Sequence, residues 1–160
     1  MDKKKDFHTV RGYQLMEQHR KLLTPAMEDY LEMIYRGSLE TGYIRVNTLA
    51  ELLHVQPPSA TKMVQKLASI QLVKYQKYGI ILLTDTGMSL GKYLFDRHNT
   101  IEKFLSNIGV NENLLIETEL MEHNISASTL HRFNLINDFI SDNPEVIDLF
   151  NNYIKTKESL

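Results

Sequence analysis

The chain has 160 residues, 42% of them hydrophobic and 24% charged, a composition typical of ordinary soluble globular proteins. It contains no cysteine, so disulfides, thiolate metal sites and cysteine nucleophiles are all excluded. No apolar run approaches the roughly 18 residues that a membrane helix needs, and no apolar signal core follows the charged N-terminus, so we expect a cytoplasmic protein.

The net charge of −2 hides an uneven distribution along the chain. Residues 52–84 carry four lysines and no Asp or Glu, whereas residues 85–160 carry six basic and twelve acidic residues. A basic stretch without carboxylates, inside an acidic protein, indicates a local surface for a polyanion. Four lysines can equally form an ordinary solvated surface, so charge alone leaves both interpretations open.

The first regular element is predicted after an N-terminal extension over residues 1–23. Thr24 followed by Pro25 is typical of a helix start, because a hydroxyl N-cap precedes proline at the first helical position. We expect this helix to run to about Leu39. Asp29 and Glu32 lie three residues apart on a face beside its apolar stripe. Acidic residues in the first turn of a helix also interact favourably with the helix dipole. This alternative explains the presence of Glu32 less well than that of Asp29.

Two further helices are predicted over residues 46–53 and from Pro57 to about Ser69, joined by a tight connection. Asn47 is expected to cap the first of them. The second helix has an apolar inner stripe and a polar, basic outer face without carboxylates. This arrangement is typical of a helix-turn-helix, whose second helix enters the DNA major groove.

Two strands should follow, over residues 72–76 and 80–84, with Gly79 suited to positive φ in the loop between them. A helix-turn-helix followed by a β-hairpin is a winged helix, and the wing touches the flanking DNA backbone. The residues expected to contact DNA, each of which could also be plain surface, are Pro57, Pro58, Ser59, Thr61, Lys62, Gln65, Lys66, Lys77 and Tyr78.

The remainder of the chain predicts helices only. A long helix capped by residues 84–87 should run to about Ile108, and three more should open at Asn111, Ser126 and Pro144. His98 falls in the middle of the long helix.

The stretch over residues 119–123 is the strongest candidate site in this half. Glu119, Glu122 and His123 occupy positions i, i+3 and i+4 and therefore share one helix face. Two carboxylates and an imidazole could form half of a site for a divalent cation. An acidic helix face is usually only solvated, so this stretch alone does not decide between the two.

Four motifs in this order and spacing resemble the manganese transport regulators, the manganese-sensing branch of the diphtheria toxin repressor family. The resemblance covers roughly residues 24–140. It implies a mainly α-helical protein in which a winged helix-turn-helix DNA-binding domain precedes an all-helical metal-binding and dimerisation domain. The motifs are residues 24–35, 57–67, 97–98 and 119–123, and the expected divisions are residues 1–23, 24–84 and 85–160.

The resemblance implies a homodimeric repressor that binds palindromic operator DNA when loaded with Mn²⁺ and so controls manganese uptake genes. The iron-sensing branch typically has Met and Cys where this chain has Asp29 and Glu119. Four carboxylates match the charge of two divalent cations, so two ions per subunit are expected, and hard oxygen and nitrogen donors suit Mn²⁺. The family's ligand pattern maps onto Asp29, Glu32, His98, Glu119, Glu122 and His123.

The chain departs from the family pattern in several places. The extension over residues 1–23 precedes the usual start, and the wing lacks an Arg-Gly pair that close relatives usually have one residue after Tyr78. Asn124 replaces a second histidine that often follows the ligand histidine. No SH3-like third domain is expected, so no ligand should come from one.

Two other functions fit parts of the sequence. One is a winged-helix regulator gated by Fe²⁺, Zn²⁺ or a non-metal signal, with the acidic cluster as mere surface in the last case. The joint placement of six ligand residues argues against mere surface. The other is a dinuclear hydrolase that uses the same carboxylates and histidines. The sequence shows no nucleophile arrangement for one, so we expect a regulator and not an enzyme.

Overall fold

The computed structural model describes residues 18–19 and 21–158, so the expected extension over residues 1–23 lies mostly outside the described residues. The chain divides into two compact units, Met1–Phe95 and Asp96–Leu160. The division falls inside a helix of 23 residues. Among the described residues, no helix combines the length and apolar character that a membrane crossing requires.

The first unit combines helices with a small antiparallel sheet. Its strands are β1 (Ile44–Arg45), β2 (Val73–Tyr75) and β3 (Ile80–Leu83), arranged in the order β1-β3-β2. Ile81 at the centre of the sheet pairs with Ile44 on one side and Tyr75 on the other. The mainly helical fold class with a winged helix-turn-helix is confirmed. The elements are α1 Pro25–Ser38, β1 Ile44–Arg45, α2 Val46–Leu52, α3 Pro57–Ser69, β2 Val73–Tyr75, a 3₁₀ turn Lys77–Gly79, β3 Ile80–Leu83 and α4 Asp85–Asn107.

The helix starts follow local capping chemistry. The Thr24 hydroxyl accepts a hydrogen bond from the Met27 N–H at 3.3 Å, and the Thr84 hydroxyl accepts one from the Gly87 N–H at 3.0 Å. Both predicted caps are confirmed. The predicted cap at Asn47 is wrong, because α2 begins at Val46 after an extended residue that makes no side-chain cap bond.

One core fills the first unit. Its fully buried side chains come from every α-helix of the unit and from the sheet, and each buried Val, Leu or Ile contributes about 1.5–3 kcal/mol relative to an exposed position. The apolar stripes predicted for α1 and α3 supply five of the ten residues that have no measurable exposure. The residues with no measurable exposure are Leu31, Ile34, Leu49, Ala60, Val64, Leu67, Leu72, Ile81, Leu90 and Leu94.

A close approach joins the sheet to the start of α4. The Leu72 carbonyl accepts hydrogen bonds from both the N–H and the hydroxyl of Thr84, each at 3.1 Å. A Cβ atom at Gly87 would overlap this same carbonyl oxygen. Gly87 is therefore required by the space available, although its own φ is not in the left-handed region.

Every regular element in the described part of the second unit is a helix. It comprises the end of α4 together with α5 Leu114–Glu122, α6 Ala127–Asp142 and α7 Glu145–Glu158. The predicted cap at Ser126 is confirmed, because its hydroxyl accepts from the Thr129 N–H at 3.2 Å. The predicted start at Asn111 is wrong, since α5 follows Asn113, whose φ of 56° lies in the left-handed region.

A polar seam, formed by Thr100, Asn107, Asn134 and Asn137, joins α4 to α6. Asn137 is only 3% exposed and donates to the Thr100 carbonyl at 3.0 Å, while its side-chain oxygen accepts from Asn107 Nδ2 at 3.0 Å. The Thr100 hydroxyl donates to the Asn134 side-chain oxygen at 2.9 Å. Directional bonds therefore set the register of these two helices.

We expect Gly87→Ala to destabilise the protein by about 1–3 kcal/mol, because the added methyl group meets rigid backbone. The direction of this change is informative, because a Gly→Ala substitution within a helix ordinarily stabilises the protein by about 0.5–1 kcal/mol. Urea denaturation would measure the change in the free energy of unfolding. Gly37→Ala is the matched control, because there the new Cβ meets the flexible end of the Ile44 side chain. Equal effects of the two substitutions would contradict the explanation.

Candidate metal centre and nucleic-acid interface

A buried carboxylate lies at the centre of the candidate metal site in the second unit. Glu122, the last residue of α5, is 2% exposed. Its Oε2 atom lies 3.0 Å from Nδ1 of His98, which comes from α4 and is itself buried. A buried carboxylate is costly unless it is hydrogen-bonded or paired with positive charge, so the imidazole is a necessary partner.

A second imidazole approaches the other oxygen of the same carboxylate. His123 follows α5 directly, keeps helical backbone angles, and places Nε2 3.8 Å from Oε1 of Glu122. Glu119 lies one turn earlier on α5 and is exposed. The structure therefore brings His98, Glu122 and His123 together, whereas the Glu119 carboxylate is on the solvent side of the same helix.

The donor atoms of this cluster fit a hard divalent cation. Two ligands about 2.1 Å from one octahedral ion and at right angles are about 3 Å apart. The separation of 3.0 Å between His98 Nδ1 and Glu122 Oε2 matches that spacing. Carboxylate oxygen and imidazole nitrogen without sulfur suit Mn²⁺, Fe²⁺ or Zn²⁺ and do not suit Cu(I).

The other two predicted ligands lie on α1 in the first unit. Asp29 is exposed, and Glu32, three residues later, is 7% exposed. Oε1 of Glu32 lies 3.5 Å from Nη1 of Arg36. Tyr30 lies between the two acids in sequence, and burial raises the pKa of its phenol, which favours the neutral form further.

The predicted recognition helix is α3, which is amphipathic as expected. Its inner face consists of Ala60, Val64 and Leu67, all fully buried. No acidic residue interrupts the outer face. The predicted DNA contacts on this helix are exposed, apart from half-buried Thr61, and they are Pro57, Pro58, Ser59, Lys62, Gln65 and Lys66.

The tip of the wing carries a bulky residue in a strained conformation. Tyr78 has φ 63° and is 86% exposed, and Gly79 follows with φ 73°. A left-handed conformation at a non-glycine residue costs on the order of 1–3 kcal/mol and persists where the surrounding structure enforces it. The hairpin therefore holds an aromatic side chain out into solvent next to Lys77, which is also exposed.

Arg45 was not identified from the sequence, and the structure places it at the wing. Its Nη1 donates to the Tyr78 carbonyl at 3.3 Å, while its backbone pairs with Ile80. The strand that carries Arg45 has only two residues, which is too short for an alternating pattern to reveal it. A basic residue beside the wing adds to the positive surface of the first unit.

Comparisons with known proteins identify both units. Residues 22–81 match the family described as iron dependent repressor, N-terminal DNA binding domain, and residues 84–148 match its metal binding and dimerisation domain. The HTH-type transcriptional regulator MntR of Oceanobacillus iheyensis is 45% identical over 128 residues, which is 79% of this chain and 87% of the relative. The chain belongs to the iron-dependent repressor family.

Two solved structures are consistent with membership of this family. The manganese regulator SloR matches with a TM-score of 0.63 and 33% identity over 73% of this chain, and ScaR with bound Zn²⁺ matches with 0.58 and 35% over 71%. This chain spans about half of those two chains, 55% and 54%. As a member of this family, the protein is a DNA-binding, metal-dependent and dimeric transcriptional regulator and not an enzyme.

We expect Lys62→Ala to weaken binding to operator and to random DNA alike, because we assign this exposed lysine on the outer face of α3 to a phosphate contact. The slope of log affinity against log salt should fall by about 1. Fluorescence anisotropy across a salt series would measure both effects. Lys157→Ala, on α7 of the second unit, removes the same charge and should leave the slope unchanged. Unchanged binding by the Lys62 variant would remove this residue from the interface.

Proposed function

We propose that this protein is a manganese-responsive repressor that controls genes of manganese uptake and homeostasis. The observation that carries the proposal is the buried Glu122 carboxylate with an imidazole at each of its two oxygens. The similarity to the manganese regulator SloR supports manganese as the metal. Fe²⁺ or Zn²⁺ is the alternative, supported by the similarity to ScaR with bound Zn²⁺.

The proposed stoichiometry is two Mn²⁺ ions per subunit. Four carboxylates carry four negative charges and so balance two divalent cations, and the two histidines complete the donor set. Affinity alone favours Zn²⁺ over Mn²⁺ at mixed nitrogen and oxygen sites, so discrimination depends on coordination number and geometry. The proposed ligands are Asp29, Glu32, His98, Glu119, Glu122 and His123.

The proposed response to metal follows from electrostatics. A bound cation supplies positive charge that offsets the mutual repulsion of the carboxylates. Asp29 and Glu32 belong to α1, next in sequence to the helix-turn-helix, and the other four ligands belong to the region of α4 and α5. Ligation by both groups restrains these helices, and with them the spacing of the two α3 helices in a dimer. The coupling between metal and DNA binding should be about 1–3 kcal/mol.

The proposed target is a palindromic operator read by a homodimer. Two-fold symmetric helix-turn-helix proteins place their recognition helices in half-sites roughly one DNA turn apart. The second unit exposes large apolar side chains on α5 and α7, including Leu120 at 63% and Leu149 at 68%, and these supply surface for a partner subunit. We therefore propose that the protein acts in the cytoplasm, where its operator DNA would lie.

We expect Mn²⁺ to tighten operator binding by about 5- to 150-fold over a chelator-treated sample. Glu122→Gln should abolish this gain, because it removes the central carboxylate charge while keeping the shape. Glu117→Gln, an exposed acid on the same helix, is the matched control and should respond as the wild type does. Anisotropy with Mn²⁺, Fe²⁺, Zn²⁺ and no metal would measure the response. Operator affinity that is unchanged at saturating Mn²⁺ would refute the proposed function.

The ligand assignment can be tested separately at Asp29 and Glu119. These two residues distinguish the manganese-sensing branch of the family from the iron-sensing branch. Asp29→Ala and Glu119→Ala should each weaken Mn²⁺ binding, measured by calorimetry, and shift the operator response to higher metal concentration. Loss of one carboxylate leaves fewer donors and less charge to balance the ions. Glu112→Ala, between α4 and α5, serves as the control. If the metal affinity of both variants equals that of the wild type, the six-residue assignment is wrong.

A further inference from the structure

A guanidinium group lies beside one of the proposed ligands. Arg36 follows Glu32 by one turn of α1, and Nη1 lies 3.5 Å from Oε1 of the carboxylate. The side chain of Glu32 is 10% exposed and that of Arg36 is 45% exposed. Glu four residues before a basic residue is the favourable order for such a pair on a helix.

The Arg36 side chain is also restrained from its other side. Its guanidinium carbon lies 5.5 Å from the centre of the Phe95 ring, within range of a cation–π interaction. That ring in turn lies 5.8 Å from the ring of Tyr35, in a tilted arrangement. An aromatic surface therefore holds the guanidinium next to the carboxylate, which distinguishes this pair from an ordinary mobile surface ion pair.

We propose that Arg36 is an affinity-setting residue that competes with the metal for the Glu32 carboxylate. This inference rests on the proposed role of Glu32 as a ligand. A guanidinium beside a carboxylate offsets the negative charge that attracts a cation, and its positive charge repels a dication nearby. When the metal binds, either the ion pair between Arg36 and Glu32 weakens or the guanidinium repels the bound cation. Arg36 raises the metal concentration at which the protein loads.

The test is Mn²⁺ titration of the full-length protein, with free Mn²⁺ followed by electron paramagnetic resonance. Arg36→Gln should lower the Mn²⁺ Kd by about three- to tenfold, because it removes the competing charge but keeps a polar side chain. The gain should shrink at high salt, which screens the partly exposed guanidinium. Arg36→Lys keeps the charge and loses the planar fork, so its Kd should lie between those of the wild type and Arg36→Gln.

Lys74→Gln is the matched control. It removes the same charge from an exposed position on β2 of the same unit and should leave the Kd unchanged. A Kd for Arg36→Gln that is unchanged or higher overturns the inference, as does equal tightening in Lys74→Gln. A purely structural ion pair would alter the melting temperature of the metal-free protein without lowering the Kd.

Glu32→Gln separates this inference from the proposed function. If Glu32→Gln leaves the Mn²⁺ Kd unchanged, the assignment of Glu32 as a ligand fails, and the inference fails with it. If Glu32→Gln weakens binding while Arg36→Gln does not tighten it, only the inference fails. In the Glu32→Gln background, Arg36→Gln should produce a smaller change than in the wild type, because the shared carboxylate is gone.

Discussion

The buried carboxylate of Glu122 constrains how the helices of the second unit pack. A carboxylate removed from water costs several kcal/mol unless hydrogen bonds and opposite charge replace the lost solvent. Its partner, His98, comes from α4, so satisfying this carboxylate fixes where α5 meets α4. His123 approaches the second oxygen at a longer distance. The packing of the unit and the chemistry of the candidate site thus depend on the same atoms.

This arrangement also explains why a cation is a reasonable occupant. An imidazole offers at most a single positive charge, and only when it is protonated. A divalent ion offers two and holds both nitrogen and oxygen donors at the short distances that the site already provides. In the first unit, Arg36 shows the complementary situation, in which a cation of the protein itself forms an ion pair with the carboxylate of Glu32.

Much of the fold was predictable, because its signals are local. The proline pair at the start of α3, and the hydroxyl caps at Thr24, Thr84 and Ser126, act within four residues of themselves. Strand β1 could not be predicted, since two residues carry no periodic pattern and are ordered by pairing with β3, 35 positions further on. The predicted start of α2 at Val46 was right, whereas the cap predicted at Asn47 and the start predicted at Asn111 were wrong, since Arg45 precedes α2 and the left-handed Asn113 precedes α5.

The candidate site was likewise predictable only where its features depend on local sequence. The shared helix face of Glu122 and His123 follows from spacing alone, but the burial of Glu122 and the exposure of Glu119 depend on how α5 packs. The contact with His98 spans 24 positions, and only the family resemblance pointed to it. Arg45 was missed because its role depends on a tertiary contact with the wing. The six ligands as one set, and the domain boundaries, remain predictions.

The polar seam between α4 and α6 has a mechanical consequence. Apolar helix faces slide past one another at modest cost, which is how shear motions arise between packed helices. Here a displacement of one turn would break the bonds that Asn137 makes to Thr100 and Asn107 and leave a buried amide without partners. The two helices should therefore move together as one rigid body. Any rearrangement of the second unit must then take place at its loops and not within this helix pair.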